Sequence, residues 1–145
     1  MTQLANDWLS LAAADMKGAG FYLGEPDEIA VNYAAYHCQQ AAEKLVKAVY
    51  IEKKIEFQRV HELRPLLTKL VDSGVNIDVF KTLFDWAEEI SQWAEKTRYA
   101  VAYLAARERV REVFEELKRV QQSLNVAPVK EECQQDVVKR LKRFE

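Results

Sequence analysis

A row of polar and aromatic side chains lies along one predicted helix in the first third of the chain. Tyr33, His37, Gln40, Lys44 and Lys47 follow one another at steps of four, three, four and three residues. This spacing places them on one continuous line along an α-helix, here called the polar ridge. Its ammonium, imidazole and amide groups are donors suited to phosphate. The alternative is a solvated helix face, because lysine is common on protein surfaces.

Three residues elsewhere in the sequence carry related groups. Arg98 offers a planar fork of donors that binds phosphate oxygens in pairs, and Tyr99 follows it. Both are predicted to lie where the fourth helix passes into the fifth, at an end of the fold where several helices can converge. His61 precedes the third helix, where its imidazole could cap that helix or contact a neighbour. We expect these residues to join the polar ridge in one ligand site.

Patterns for metal or nucleophilic chemistry are absent from the sequence. The two histidines are 24 positions apart and belong to no HExxH or ExxH pattern. There is no GxSxG sequence and no glycine-rich phosphate loop. Cys38 and Cys133 lack CxxC spacing, which is typical of free thiols in a reducing compartment. We therefore expect no metal and no cofactor.

The composition bounds the fold that must position these side chains. Only four glycines and three prolines occur in 145 residues, which favours long helices and short connections. The net charge of -2 gives no chain-wide attraction to nucleic acid. No apolar run approaches the roughly 18 residues that cross a bilayer, and the first residues lack a signal-peptide pattern. We expect a cytoplasmic protein without membrane contact.

Apolar periodicity and terminal signals predict an all-α fold, an antiparallel up-and-down bundle of about five helices. The first helix should begin near Asn6 or Asp7 and end around Leu23, and Asp27 should open the second. The predicted helices cover about 6–23, 27–54, 63–73, 76–94 and 103–124. The bundle should occupy residues 1–125.

A tail of residues 126–145 follows the predicted bundle. Its apolar residues could form one side of a short amphipathic C-terminal helix that ends in the basic sequence KRLKRF. Such an end could bind an acidic partner, or it could simply complement the helix dipole.

Two tryptophans lie beside the apolar stripe of the fourth predicted helix. Trp86 and Trp93 are seven residues apart and widen its apolar arc. This width suggests a dimer interface, although both rings could instead fill a wide core.

Three segments, in this order, resemble the HEPN domain, the nucleotide-binding domain shared by higher eukaryotes and prokaryotes: NYAAYHCQQAAEKLVKAVYIEKKIE, HELRPLLTKL and EKTRYA. The opening DWLSLAAADMKGAGFYL is similar to the first helix of that family. The resemblance covers about residues 1–125 and implies an up-and-down bundle that is usually a homodimer. It further implies either a ribonuclease or the non-catalytic partner of a small nucleotidyltransferase, often in a toxin–antitoxin or defence locus.

Active ribonucleases of that family use an arginine followed, after four to six residues, by a histidine. After Arg98 the required positions hold Tyr103, Leu104 and Ala105. Before His61 and His37 the required positions hold no arginine. The missing motif favours a protein that is not an enzyme, although Tyr103 could still contact a phosphate.

The leading hypothesis is a homodimeric protein that binds a nucleotide or RNA phosphate, or a nucleotidyltransferase partner, through the residues named above. The alternative is a metal-independent ribonuclease whose atypical centre combines His61 or His37 with Arg98. A purely structural dimerisation module is the third hypothesis.

Overall fold

The computed structural model describes residues 1–57, 59–99 and 102–124. These ranges contain six α-helices and no strand: α1 (Gln3–Leu23), α2 (Glu28–Glu52), α3 (Leu63–Asp72), α4 (Lys81–Asp85), α5 (Ala87–Tyr99) and α6 (Arg107–Leu124). A 3-10 turn, Asp78–Phe80, leads into α4. The predicted all-α bundle is confirmed. The predicted C-terminal helix at 126–145 and Cys133 lie outside the described residues.

Hydrogen bonds between the ends of helices show that neighbours alternate in direction. The Thr2 backbone N–H at the start of α1 donates to Glu52 Oε2 at the end of α2, at 2.7 Å. Arg107 at the start of α6 donates through Nη1 to the Leu23 carbonyl, at the end of α1, at 2.8 Å. Helix α1 therefore runs antiparallel to both α2 and α6, as an up-and-down bundle requires.

Helix α2 lies at the centre of the bundle and packs against α1, α3, α5 and α6. Small side chains on α2 allow its neighbours to pack closely, because the methyl group of alanine takes up little space between two helix backbones. Fully buried alanines occur along its whole length: Ala34, Ala35, Ala41, Ala42 and Ala48. A central helix of this kind can display its remaining polar side chains to several neighbours at once.

Side-chain caps determine where the first two helices begin. The Thr2 hydroxyl accepts a hydrogen bond from the Ala5 backbone N–H at 3.3 Å, so α1 begins at Gln3. The predicted start near Asn6 or Asp7 is wrong, because Thr2 supplies the cap about one turn earlier. The Asp27 carboxylate accepts from the Ile29 N–H at 2.8 Å, which confirms the predicted start of α2.

The predicted fourth helix is interrupted. Trp86 has φ -97° and ψ 7°, which separates α4 from α5 although the apolar stripe continues across it. The predicted fifth helix also begins later than expected. Asn32 donates to the Tyr103 carbonyl at 2.8 Å and accepts from the Ala105 N–H at 2.8 Å. These two bonds occupy backbone groups that a helix would use, so α6 begins at Arg107.

The two tryptophans of the predicted dimer interface have different surroundings. Trp93 is 2% exposed and donates through Nε1 to the Tyr103 hydroxyl at 3.1 Å, so its ring fills the core of its own chain. A role for Trp93 in dimerisation stays a prediction. Trp86 is half-buried, and the Arg109 guanidinium lies 4.2 Å from its ring centroid. A role for Trp86 in dimerisation stays a prediction.

Candidate functional site

A polar cleft opens between α2, α5 and the segment that precedes α3. Its volume is about 570 Å³. We call it the α2–α5 cleft, and it is lined by Tyr36, Gln40, Glu43, His61, Glu62, Ser91, Ala94, Glu95, Arg98 and Tyr99. Three segments that are distant in sequence therefore supply one concave surface, which is the usual form of a ligand site.

The cleft brings together part of the predicted site. Gln40, His61, Arg98 and Tyr99 all line it, so side chains do converge beside the end of α5 as expected. The other predicted ligand residues are not among its lining residues: Tyr33, His37, Lys44, Lys47 and Tyr103. Tyr103 instead accepts the Trp93 indole N–H, and its carbonyl binds Asn32. Whether any of these residues binds a ligand stays a prediction.

Arg98 lies close to two aromatic rings. Its guanidinium carbon lies 4.9 Å from the Tyr36 ring centroid and 5.0 Å from that of Tyr99. Its Nε donates to the Ala94 carbonyl at 2.7 Å. Within the described ranges, no carboxylate forms an ion pair with Arg98. The aromatic contacts help to hold the guanidinium at the cleft without neutralising its charge.

Glu43 lies beneath the cleft, with its side chain only 7% exposed. Its Oε1 accepts from Lys47 Nζ at 2.6 Å and from His61 Nδ1 at 2.8 Å. Its Oε2 accepts from Gln39 Nε2 at 3.1 Å, and Gln39 in turn accepts from Gln40 Nε2 at 2.7 Å. A buried carboxylate is tolerated only when donors satisfy it in this way.

His61 reaches the cleft from the segment between α2 and α3. The sequence left open whether His61 caps α3 or contacts a neighbouring helix, and the structure shows the contact with a neighbouring helix. Its Nδ1 donates to Glu43, whereas the Leu63 N–H at the start of α3 donates to the Ser91 hydroxyl at 3.0 Å. The imidazole is 72% exposed, and with the proton on Nδ1 its Nε2 can accept a hydrogen bond or a proton.

The lysines of the polar ridge do not form a free cationic face. Lys47 is 7% exposed, and its Nζ lies 5.8 Å from the Trp8 ring centroid and 5.2 Å from that of Phe57. The expectation that Lys47 faces solvent or a groove is wrong, because these rings and Glu43 enclose its ammonium group. Lys44 Nζ donates to Asp15 Oδ2 at 2.5 Å. Each lysine is therefore neutralised by a carboxylate.

The sequence reasoning missed Asp15 and Glu43. Asp15 accepts from His37 Nδ1 at 2.9 Å as well as from Lys44. A carboxylate on the apolar face of α1, one residue before Met16, is a signal that a cation must approach it from another helix. The signal for Glu43 was its i,i+4 spacing to Lys47.

The described residues contain no group of three or more His, Cys, Asp and Glu side chains arranged to hold a metal ion. Cys38 is a buried free thiol. Burial, followed by the charge of Asp15, raises the pKa of this thiol from 9.0 to about 12. Such a thiol stays protonated and is a poor nucleophile.

The structure is a helical bundle with a polar cleft, and a comparison with known families identifies the family to which it belongs. The model of the HEPN domain matches residues 5–127. The chain therefore belongs to the HEPN domain family, and the suspected resemblance is confirmed. Membership supports a nucleotide- or RNA-related function at the level of the family. No curated protein and no solved structure matches the chain. Among the described helices, none is long and apolar enough to span a membrane.

Proposed function

We propose that this protein binds the phosphate of an RNA or a nucleotide in the α2–α5 cleft. The observation that carries the proposal is the environment of Arg98, an arginine within 5.0 Å of the Tyr36 and Tyr99 ring centroids with no ion pair in the described part of the chain. A guanidinium with no carboxylate partner there has its charge and its terminal N–H groups available for a phosphate. Gln40 lines the same cleft and adds an amide donor, and the exposed Nε2 of His61 can accept a hydrogen bond there.

The charges around Arg98 favour one type of phosphate over another. Glu62 and Glu95 also line the cleft, whereas Glu43 beneath it forms an ion pair with Lys47 and a hydrogen bond with His61. Two carboxylates near one guanidinium repel a ligand that carries several negative charges. The proposed ligand is therefore a phosphodiester, which has one charge, rather than a nucleoside triphosphate.

Calorimetric titration with ATP, GTP and a short single-stranded RNA tests this proposal. Arg98→Ala should weaken RNA binding at least tenfold, because a charge-assisted bond to phosphate is lost. Arg98→Lys should retain part of the affinity, since it keeps the charge without the fork. The matched control is Arg111→Ala, which removes the same charge from an exposed position on α6. Equal effects of Arg98→Ala and Arg111→Ala would contradict the proposal.

The proposed biological role is that of the non-catalytic partner of a small nucleotidyltransferase, in a toxin–antitoxin or defence locus. The resemblance to the HEPN family and the missing arginine–histidine spacing support it. In such a pair, the nucleotidyltransferase holds the metal and performs the reaction, while this chain, as a cytoplasmic homodimer, presents the substrate.

Co-expression with a nucleotidyltransferase encoded by a neighbouring gene tests this role. The two chains should co-purify. Light scattering of the HEPN chain purified alone should give a mass that corresponds to two copies of that chain. A monomeric mass, or separation of the two chains on a column, counts against it.

A second function, metal-independent RNA cleavage, is favoured by the pairing of Glu43 with His61 in the cleft that contains Arg98. His61 Nε2 would take the proton of a ribose 2′-hydroxyl as its oxygen attacks phosphorus. The bond to the 5′-oxygen would break, that oxygen would take a proton from water, and the products would be a 2′,3′-cyclic phosphate and a 5′-hydroxyl. Arg98 would stabilise the charge on the phosphate oxygens.

Incubation of the purified protein with RNA in EDTA distinguishes the two functions. A ribonuclease should cleave RNA there, and His61→Ala should abolish cleavage. Arg111→Ala is the control, because Arg111 is exposed on α6 and does not line the cleft. Intact RNA with the wild-type chain excludes the second function and leaves the first.

A further inference from the structure

Three aromatic rings are stacked on the surface formed by α1 and α2. Tyr33 lies over Tyr22 with ring centroids 5.2 Å apart and an interplanar angle of 28°. Tyr22 lies over His37 at 5.8 Å and 11°. We call these three rings the aromatic stack. Tyr33 is 54% exposed, so the outer end of the stack is open to solvent.

The inner end of the aromatic stack is fixed. His37 donates through Nδ1 to the buried carboxylate of Asp15 at 2.9 Å. Its ring also packs against the backbone of α1, because a Cβ on Gly18 would lie only 3.2–3.3 Å from three ring atoms. An outer ring supported in this way is a preformed platform that loses little conformational freedom when a flat ligand binds it.

The aromatic stack is continuous with the α2–α5 cleft. Tyr36 meets the edge of His37, with centroids 5.8 Å apart and an angle of 64°, and it also lines the cleft beneath Arg98. Tyr33 and Gln40 are two helical turns apart on α2, which corresponds to about 10 Å. A single extended ligand can therefore reach both the platform and Arg98.

We infer that the exposed face of Tyr33 binds a nucleobase of the same strand whose phosphate lies at Arg98. The inference rests on the proposed function and deepens it: the ligand is a single-stranded oligonucleotide, rather than a duplex or a lone nucleotide. Every base has a flat face that can stack on tyrosine, and only an unpaired strand exposes that face. A ring stack that leads to an arginine with no ion pair among the described residues matches this ligand better than a protein surface does.

Fluorescence anisotropy with two labelled strands of equal length tests the inference. One strand is a short oligouridine, and the other contains abasic ribose residues, so it keeps the phosphodiesters but lacks the bases. The wild-type chain should bind oligouridine about tenfold more tightly than the abasic strand. Tyr33→Ala should remove this tenfold difference and leave the affinity for the abasic strand unchanged.

Two control variants keep the result interpretable. Tyr33→Phe retains the ring and should retain the affinity. Ile29→Ala removes apolar surface from a side chain that is 60% exposed on the same helix, one turn earlier, and should change neither affinity. The unfolding temperature of Tyr33→Ala shows whether the variant is folded at the temperature of the assay.

The outcomes separate the inference from the function on which it rests. If Arg98→Ala weakens both strands but Tyr33→Ala weakens neither, the base site is wrong and the phosphate site stands. If neither strand binds the wild-type chain, the proposed function is wrong, and the inference fails with it. If Tyr33→Ala changes the mass of the chain in sedimentation but not the affinity for oligouridine, the platform is a protein contact and the inference is overturned.

Discussion

Asp15 on α1 and Glu43 on α2 are buried carboxylates with the same kinds of partner, yet they have different relations to the surface. Each accepts a hydrogen bond from one lysine and one histidine: Lys44 and His37 for Asp15, Lys47 and His61 for Glu43. The difference lies in which partner is enclosed. At Asp15 the lysine and the histidine are about equally exposed, whereas at Glu43 the lysine is enclosed and the histidine is open.

This difference separates a carboxylate that links two helices from one that holds a side chain at the cleft. His37 is 28% exposed and lies beneath the Tyr22 ring, so the Asp15 group joins α1 to α2. His61 is 72% exposed and lines the α2–α5 cleft, so the Glu43 group positions an imidazole that a ligand can reach. The same three residue types therefore have different consequences, because the packing around the imidazole decides what it can contact.

The largest expected effect is that of Glu43→Ala. This change leaves the Lys47 ammonium buried without its carboxylate, and breaking such a pair costs about 3–5 kcal/mol of unfolding free energy. Urea unfolding followed by circular dichroism measures the loss. The double variant with Lys47→Met should recover most of it, because Met fits between Trp8 and Phe57 without a charge. A loss below about 1 kcal/mol would contradict the burial argument.

Asp15→Ala should cost less, about 1–3 kcal/mol. Lys44 and His37 are each about a quarter exposed, so water can reach them once the carboxylate is gone. The same urea experiment measures the change. A loss as large as that of Glu43→Ala would mean that the two groups do not differ as their exposures indicate.

The two histidines should respond in opposite ways. His37→Ala removes an aromatic stack and a bond to Asp15 and should destabilise the chain by about 1–2 kcal/mol. His61→Ala should change the stability by less than about 0.5 kcal/mol, because its ring is exposed, but it should weaken RNA binding severalfold. Thermal unfolding of both variants measures the stability, and calorimetric titration measures the RNA affinity. A larger loss of stability for His61→Ala than for His37→Ala would contradict the prediction.

The smallest effect concerns Cys38, on which Asp15 acts but Glu43 does not. In the folded chain the pKa of Cys38 is raised to about 12. The contribution of the buried, protonated thiol to the unfolding free energy is therefore fully present below the ordinary pKa of 9.0, and it is lost as the pH rises from about 9 towards 12. In a Cys133→Ser background, iodoacetamide at pH 8 should label Cys38 only after unfolding in urea. Asp15→Asn should accelerate labelling only slightly, because burial is the larger cause. Rapid labelling of Cys38 in the folded chain would contradict the prediction that its thiol is buried and protonated.

The fold was largely predictable from local patterns, since caps and apolar spacing act within a few residues of one another. Asp27 marked the start of α2, and the apolar stripes marked five helical regions. The start of α1 was predicted wrongly although its cap, Thr2, is local. The start of α6 was predicted wrongly because a distant side chain binds the backbone there. Asn32 binds the segment around Tyr103 from 71 positions away, and no local pattern reveals that contact.

The sequence by itself determined the helices, the membership of the HEPN family and the residue types of the polar ridge, because these follow from periodicity and motif order. Only the tertiary structure decided which of those cations are neutralised. Lys44 meets Asp15 across 29 positions, and Arg98 meets Tyr36 across two helices. Electrostatic pairing depends on distances of a few ångströms between side chains, and the packing of whole helices establishes those distances.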